Sequence, residues 1–245
     1  MKLINKIFII QLVFLPLVNY SQQQFTDSEI SAALNNPDTK KIRPRVIAAN
    51  QIELLKEGVL LIRLQNKQNT IAALKKVKRF KEADKVEYQQ KELNQQYIQA
   101  FRSHFNFCKV YFFYSNQSQN IIDKKYHDVI FLNDSLAEDS TIKISTENIF
   151  TGEFSNLEQD TTSYFSRTIK EDGNKKLATY YGGPDFNFEV LAIKSNQFVQ
   201  LRDPFPYYVR TFRDLPLQRS ALTTVAMMNR RLHHYYYKQQ RKSNK

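Results

Sequence analysis

The chain has 245 residues and a net charge of +12, with 36 lysine and arginine residues against 24 acidic ones. Its hydrophobic fraction of 42% is enough to form a core, which excludes a fully disordered chain, a collagen-like repeat and a polytopic membrane protein. The single cysteine excludes an internal disulfide framework and a cysteine-based zinc finger, and the excess of positive charge favours anionic partners.

Residues 1–21 have the pattern of a secretory signal peptide. Lys2 and Lys6 precede an apolar run from Ile7 to Val18, which is too short to span a bilayer as a helix, since about 20 residues are needed. We expect cleavage near Ser21 and an exported product, in the periplasm, at the cell surface or secreted. The alternative is a short membrane anchor that is never removed. No later stretch is long and apolar enough for a transmembrane helix, so none is predicted in the mature chain.

Residues 22–50 are polar and carry turn signals around Pro37 and Pro44, which predicts a loosely held lead-in. Residues 51–237 are predicted to form a single α/β domain, followed by a basic tail over residues 238–245.

The first half of this domain is predicted to alternate strands and helices. Val59–Leu64 is an almost continuous apolar run, typical of a strand that is covered on both faces. Thr70 is a plausible N-cap for a helix, and a second helical spacing runs from Val86 to Phe105, with a break favoured over residues 81–85. The apolar positions of the first helix are Ile71, Leu74, Val77 and Phe80.

Further strands are predicted at residues 108–114 and 128–132, with a short helix over 115–124 between them. Helical crossovers of this kind imply parallel pairing. In the second half, strands are plausible at 149–154 and 164–169, and Gly182-Gly183-Pro184 is a firm break. Residues 188–193 and 198–201 flank Ser195-Asn196 and predict an antiparallel hairpin. An apolar stripe from Leu217 to Tyr235 predicts a closing helix that starts near Asp214 and Pro216.

These elements predict an α/β fold in one domain, with a mixed sheet of about five to six strands and flanking helices. The order is βαβαβ, then a β-hairpin and a C-terminal helix, and it resembles the element order of thioredoxin-like folds. The chain has no Cys-x-x-Cys motif, and Cys108 lies within a predicted strand, so none of that family's redox chemistry is implied.

Cys108 is the only candidate nucleophile among thiols. Histidines lower the pKa of catalytic cysteines, and His104 and His127 are the neighbours in sequence, but neither spacing predicts a contact. A cysteine in an apolar strand is more often a small buried hydrophobe.

Metal and cofactor signals are weak. His127, Asp123 and Asp128 are close in sequence, but a metal site needs three or four ligands that converge, and the pattern does not predict this. The acidic cluster Asp134, Glu138 and Asp139 lacks the glycine and the terminal glutamate of a calcium-binding loop. A solvated acidic loop is therefore the better interpretation of that cluster. No phosphate loop or hydrolase motif is present, and we predict no metal, no cofactor and no catalytic residue.

The C-terminal segment is the most distinctive part of the chain, because residues 215–245 contain no acid. The number of lysine and arginine residues in this segment exceeds what favourable interaction with a helix C-terminus requires. The excess predicts a surface that binds an anionic envelope surface or an acidic protein partner. Export argues against nucleic acid as the partner. The alternative is a packed helix whose outer face and tail are simply basic. The candidate binding residues are Arg219, Arg230, Arg231, His234, Tyr237, Lys238 and Arg241.

A second candidate is the segment Asp203-Pro204-Phe205-Pro206-Tyr207-Tyr208. Two prolines force an extended path, so Phe205, Tyr207 and Tyr208 could form an aromatic ledge for a ligand. A rigid bridge that closes the core before the last helix is the favoured alternative.

The sequence favours an exported, non-enzymatic, envelope-associated binding or assembly component. The alternatives are a thiol-dependent hydrolase or transferase that uses Cys108 with a histidine, and a redox-inactive thioredoxin-like module that binds polypeptides. The oligomeric state is not predicted.

Overall fold

The structure, a computed structural model, describes residues 44–157, 163–171, 174–181, 189–211 and 219–243, with backbone alone at 163–171 and 174–181. The predicted signal peptide, most of the predicted lead-in, the Gly182-Gly183-Pro184 break and the predicted helix start near Asp214 lie outside these residues. The α-helices are α1 Pro44–Glu57, α2 Gln68–Lys76, α3 Phe80–His104, α4 Ser118–Ile122 and α5 Ala221–Ser243. The strands are β1 Val59–Leu64, β2 Lys109–Tyr114, β3 Phe131–Leu132, β4 Ile149–Asn156, β5 Ser163–Glu171, β6 Asn174–Tyr181, β7 Glu189–Ser195 and β8 Tyr208–Arg210.

Six of the strands form one mixed sheet in the order β3-β2-β1-β4-β7-β8. Strand β1 pairs in parallel with β2 and with β4, and the remaining pairs are antiparallel. Strands β5 and β6 pair with each other in a separate two-stranded antiparallel sheet, inserted in the chain between β4 and β7. The predicted α/β fold, a single domain built on one mixed sheet with flanking helices, is confirmed.

The central position of β1 explains its almost continuous apolar run, which only Arg63 interrupts. Leu60, Ile62 and Leu64 belong to a core that includes residues of α1, α3 and α5, whereas Val59 and Leu61 point into a smaller core that includes α4 and β3. Because both faces of β1 are covered, its sequence does not show the alternation of polar and apolar residues that marks a half-exposed strand.

Several local predictions were wrong in detail. Helix α2 begins at Gln68, with Lys67 and not Thr70 at the N-cap position, and the break before α3 falls at residues 77–79 and not over 81–85. The lead-in was predicted to extend to residue 50, but α1 begins at Pro44, and Ile52 and Leu55 are fully buried. Proline suits the first helical position, because its missing N–H has no partner there, so the turn signal was in fact a helix start. The strand over 128–132 is only two residues long and antiparallel to β2, after a 3₁₀ turn at Tyr126–Asp128. The basic tail predicted over residues 238–245 had no secondary structure assigned to it, and it continues α5 as a helix up to Ser243.

The hairpin after residue 188 forms with a different partner. Strand β7 turns at Asn196 as predicted, but residues 198–201 add only one bridge, between Lys194 and Gln200, and β8 takes the remaining edge of β7. The Ser195 hydroxyl accepts hydrogen bonds from the backbone N–H groups of Gln197 and Val199. These bonds stabilise the turn, and the pairing between the two segments does not extend further. Strand β7 lies beside β4 and not beside β1, so the likeness to thioredoxin-like folds is one of element order.

A largely buried cluster of three charged side chains connects adjacent strands of the sheet. The Glu153 carboxylate on β4 accepts hydrogen bonds from Arg63 on β1 and from Lys194 on β7, both at 2.9 Å. Burial by itself would raise the pKa of Glu153, but the two cations outweigh burial and lower that pKa below its usual value. The carboxylate therefore stays ionised and ties together three strands, β1, β4 and β7.

The helices of the described part of the chain are each too short or too polar to cross a bilayer.

Candidate anion-binding surface

Helix α5 is held against the core by a narrow apolar stripe. Ser220 caps the N-terminus of α5. Its hydroxyl accepts a hydrogen bond from the backbone N–H of Thr223 at 3.2 Å, and its carbonyl accepts one from the backbone N–H of Thr224 at 3.0 Å. Val225, Met228 and Leu232 are fully buried at spacings of three and four residues. This stripe fixes the rotation of the helix, so the opposite face is turned outward.

The outward face of α5 carries the predicted cations. At 3.6 residues per turn, Tyr237 and the exposed basic residues from Arg230 to Lys242 fall within a sector of about 140°. Tyr237 lies among them with its ring largely exposed. We call this set the basic face: Arg230, Arg231, His234, Tyr237, Lys238, Arg241 and Lys242.

Within the described residues, the cations of the basic face have no acidic partner in an ion pair. Among the described residues, no carboxylate lies within 4.0 Å of any lysine or arginine of this set. The nearest acidic contact on the helix is at its edge, where the Gln240 side chain donates to Glu53 at 3.4 Å. The structure thus brings six of the seven predicted binding residues onto one surface.

Arg219, the seventh, has a different place. It precedes α5, is half-buried, and donates from its guanidinium to the Arg210 carbonyl and from its N–H to the Thr211 carbonyl. These bonds tie the start of α5 to the end of β8, so Arg219 positions the helix.

The predicted aromatic ledge is only partly exposed. Phe205 is fully buried, with its ring 6.4 Å from that of Tyr235 in α5, so it fills the core and is not part of a ledge. Tyr207 and Tyr208 are half-buried and pack on each other at 4.8 Å. Arg231 donates to the Tyr208 carbonyl at 2.9 Å, which places this segment directly beside the basic face. The segment therefore acts as the bridge to the last helix at Phe205 and borders the basic face at Tyr208.

A polar network that the sequence did not predict lies on the other flank of α5. Asn106 exchanges hydrogen bonds with Asn229, and its side-chain oxygen lies 3.0 Å from His233 Nε2. The His233 ring stacks on that of Tyr237 and meets the edge of Phe107. Burial and the nearby Lys56 lower the pKa of His233. No sequence spacing links residue 106 to residues 229 and 233, so only the packing of α5 reveals the network.

Asn106 also lines a cleft of about 540 Å³ at the amino ends of β1 and β2. The described residues of its lining include three lysines, Lys56, Lys109 and Lys143, and one acid, Glu57. The Lys56 ammonium donates to the Phe107 carbonyl at 2.7 Å and lies over the Phe107 ring. Through Asn106 and His233 this positively charged cleft adjoins the basic face.

Cys108 in this cleft is poorly suited to act as a nucleophile. Burial raises the pKa of its thiol to about 12, and the nearby Lys56 lowers it only in part. His104 is exposed at the end of α3, and His127 is exposed and paired with Asp128 at 3.3 Å. A neutral thiol that no histidine activates is the state of a structural cysteine.

The predicted acidic loop is largely solvent-exposed, and two of its carboxylates have partners. Asp134 pairs with Arg102 at 2.7 Å, and Asp139 accepts hydrogen bonds from Thr141, which lower the pKa of Asp139. Within the described ranges, no three histidine, cysteine, aspartate or glutamate side chains are grouped as metal ligands would be.

Comparison with protein-family models, curated proteins and solved structures gives no match. The function is therefore proposed from the sequence and the geometry of these surfaces.

Proposed function

We propose that this protein is an exported, non-enzymatic binding component that attaches to an anionic envelope surface through the basic face. The observation that carries the proposal is the set of outward cations on α5 that have no carboxylate partner among the described residues. Export is proposed from the charged start and short apolar run of residues 1–21.

The physical basis is the difference between a cation that has a partner and one that lacks it. An arginine already paired with a carboxylate gains little from a second anion, whereas an exposed, unpaired arginine gains the full attraction. Near an anionic membrane each lysine or arginine adds about fivefold in affinity, and the attraction weakens beyond about 10 Å at 0.1 M salt. Several cations on one rigid face act on the same surface together.

The test is vesicle sedimentation with the mature chain. Vesicles of phosphatidylcholine with phosphatidylglycerol should bind the protein, and vesicles of phosphatidylcholine alone should not. Arg230→Glu with Arg231→Glu should weaken binding at least about 25-fold, since two favourable charges are lost and two unfavourable ones appear.

A matched control reverses two cations elsewhere. Lys124 and Lys125 are exposed in the turn after α4, and their change to glutamate alters the net charge by the same amount. Equal loss of binding in both double variants would show that net charge alone is sensed, and the basic face would then not be the binding surface.

Export has its own test. Expression of the full chain followed by fractionation and N-terminal sequencing should give a protein outside the cytoplasm that starts near residue 22. An intact Met1 on a cytosolic protein would contradict the compartment and the choice of an envelope surface.

A further inference from the structure

The corner between α2 and α3 exposes apolar side chains that the core does not use. The exposed fraction is 63% for Val77 and 57% for Phe80, and α2 has no buried residue at all. Leu74 and Ile71, about one and two turns before Val77, are only half-buried. The periodicity that predicted a core-facing helix therefore marks a helix whose apolar side is largely open, and we call residues 67–85 the α2–α3 corner.

The same corner is strongly basic. It contains seven cations and two acids, Glu82 and Asp84, and every one of these nine side chains is exposed. Arg79 pairs with Glu82, and Lys75 lies 3.7 Å from Glu87 of α3. In the described part of the chain, no carboxylate lies within 4.0 Å of the remaining cations, which are Lys67, Lys76, Lys78, Lys81 and Lys85.

We propose that the α2–α3 corner inserts Phe80 and Val77 into the interfacial region of an anionic phospholipid bilayer. Short amphipathic elements with aromatic and aliphatic side chains ringed by lysines have the composition of interfacial membrane anchors. The lysine stems reach the headgroups while the rings and methyl groups enter the acyl boundary. A protein partner is the poorer fit, because lysine is depleted at the centres of protein interfaces.

This proposal rests on the proposed function for its anionic surface, and it names that surface as a lipid bilayer. The corner is physically separate from the basic face. Helix α3 has 25 residues, or about 37 Å, and the corner lies at its start. Asn106, just beyond the other end of α3, is the residue that contacts Asn229 and His233 of α5. Because Val77 and Phe80 are exposed, changes at these two positions should leave the packing of α5 intact.

The absence of tryptophan from the chain allows a direct test. Phe80→Trp places a single reporter at the corner of the otherwise unchanged mature protein. With vesicles that contain phosphatidylglycerol we expect its emission to shift to shorter wavelength, and lipids brominated in the acyl chains should quench it. An unshifted and unquenched emission at saturating vesicle concentration would overturn the proposal.

Val199→Trp is the matched control. Val199 is 55% exposed in the turn after β7, and its neighbours Gln197, Phe198 and Gln200 are uncharged. Its emission should stay unshifted, and an equal shift at both positions would overturn the proposal because it would indicate general adsorption. A Phe80→Trp emission already shifted without vesicles would also overturn it, since another part of the chain or a second copy would then cover the corner.

Binding measurements separate this proposal from the proposed function. Val77→Ser with Phe80→Ser should weaken vesicle binding roughly tenfold, since each loses buried apolar area, and the loss should persist at high salt. Both positions are exposed, so folding should be unaffected, which circular dichroism checks. If the Phe80→Trp emission shifts while the variant with Arg230→Glu and Arg231→Glu binds vesicles normally, membrane insertion of the corner is supported and binding through the basic face is contradicted. If the Phe80→Trp emission stays unshifted while the arginine variant binds vesicles weakly, binding through the basic face is supported and insertion of the corner is contradicted.

Discussion

The Lys194 ammonium lies 2.9 Å from the Glu153 carboxylate, and only 6% of each side chain is exposed. Arg63 contacts the other oxygen of the same carboxylate at 2.9 Å and also lies over the ring of Phe198. Two cations thus share one buried anion between three adjacent strands. The stability of this arrangement depends most on Glu153, because each cation uses it.

Glu153→Gln should therefore destabilise the fold by about 3–5 kcal/mol, the range for removing one partner of a buried ion pair. Lys194→Met should cost less, because the pair between Arg63 and Glu153 remains. Urea unfolding of the two variants gives both values. Equal losses would show that Glu153 is not the shared centre of the cluster.

The same residue predicts a pH dependence. Because the folded state lowers the pKa of Glu153 below its ordinary 4.5, the stabilisation is present above that value and is lost as the pH falls through the folded pKa. Unfolding free energies measured from neutral to acidic pH should fall less steeply for Glu153→Gln than for the wild type. Parallel curves would contradict a lowered pKa at this position.

Cys108 should react slowly with thiol reagents. With its pKa raised from 9.0 to about 12, the fraction of thiolate at pH 8 is about a thousandfold lower than for a free thiol. Because it is the only cysteine, the alkylation rate with iodoacetamide reports on it alone, and the urea-unfolded chain provides the reference. A folded rate equal to the unfolded rate would restore the thiol enzyme as a candidate.

Gly58 should not tolerate a side chain. A Cβ there would overlap the Asn148 carbonyl oxygen and lie 2.7 Å from the Leu54 carbonyl oxygen, where the N–H of Val59 bonds to Asn148. Gly58→Ala should cost about 3 kcal/mol, because backbone must move. Gly152→Ala is the control and should cost about 1 kcal/mol, since its Cβ meets only the end of the Ile62 side chain closely, at 2.9 Å. Thermal unfolding compares them, and equal costs would contradict the backbone clash.

His233 should titrate below the ordinary pKa of a histidine. Burial first, and then the charge of Lys56, lower its pKa below 6.5. The folded state therefore binds fewer protons than the unfolded state, so this residue lowers stability as the pH falls below 6.5. NMR titration of the four histidines measures the pKa directly, and Lys56→Met should raise it. An unchanged value in that variant would mean that Lys56 does not act on the ring.

Local sequence was a good guide where one short pattern decides the outcome. The bounds of β1 were predicted correctly, and β2 began one residue later than expected. A short run of mostly apolar residues between polar segments is typical of a buried strand. Strand β6 was missed, since residues 174–181 have two lysines and no clear alternation. The turn signal at Pro44 was misread because proline is equally at home in a turn and at the first position of a helix.

Two aromatic residues show what local pattern leaves open. The local sequence around Phe80 and around Phe205 does not decide whether either side chain is buried. In the structure Phe80 is exposed and Phe205 is fully buried. The difference comes from their surroundings: Phe205 meets Tyr235 of a distant helix, whereas Phe80 lies next to α2, none of whose residues is buried. Burial is a property of the partner surface, which no window of neighbouring residues contains.

The sequence by itself determined the strand and helix pattern of the core, the excess of positive charge and the acid-free C-terminal segment, because each depends on composition or on spacing along one element. Only the tertiary structure decided which way that segment faces, that Asn106 and His233 meet, that one carboxylate serves Arg63 and Lys194, and that Phe80 lies open. These are contacts between elements far apart in the chain, and they are set by how the helices pack on the sheet.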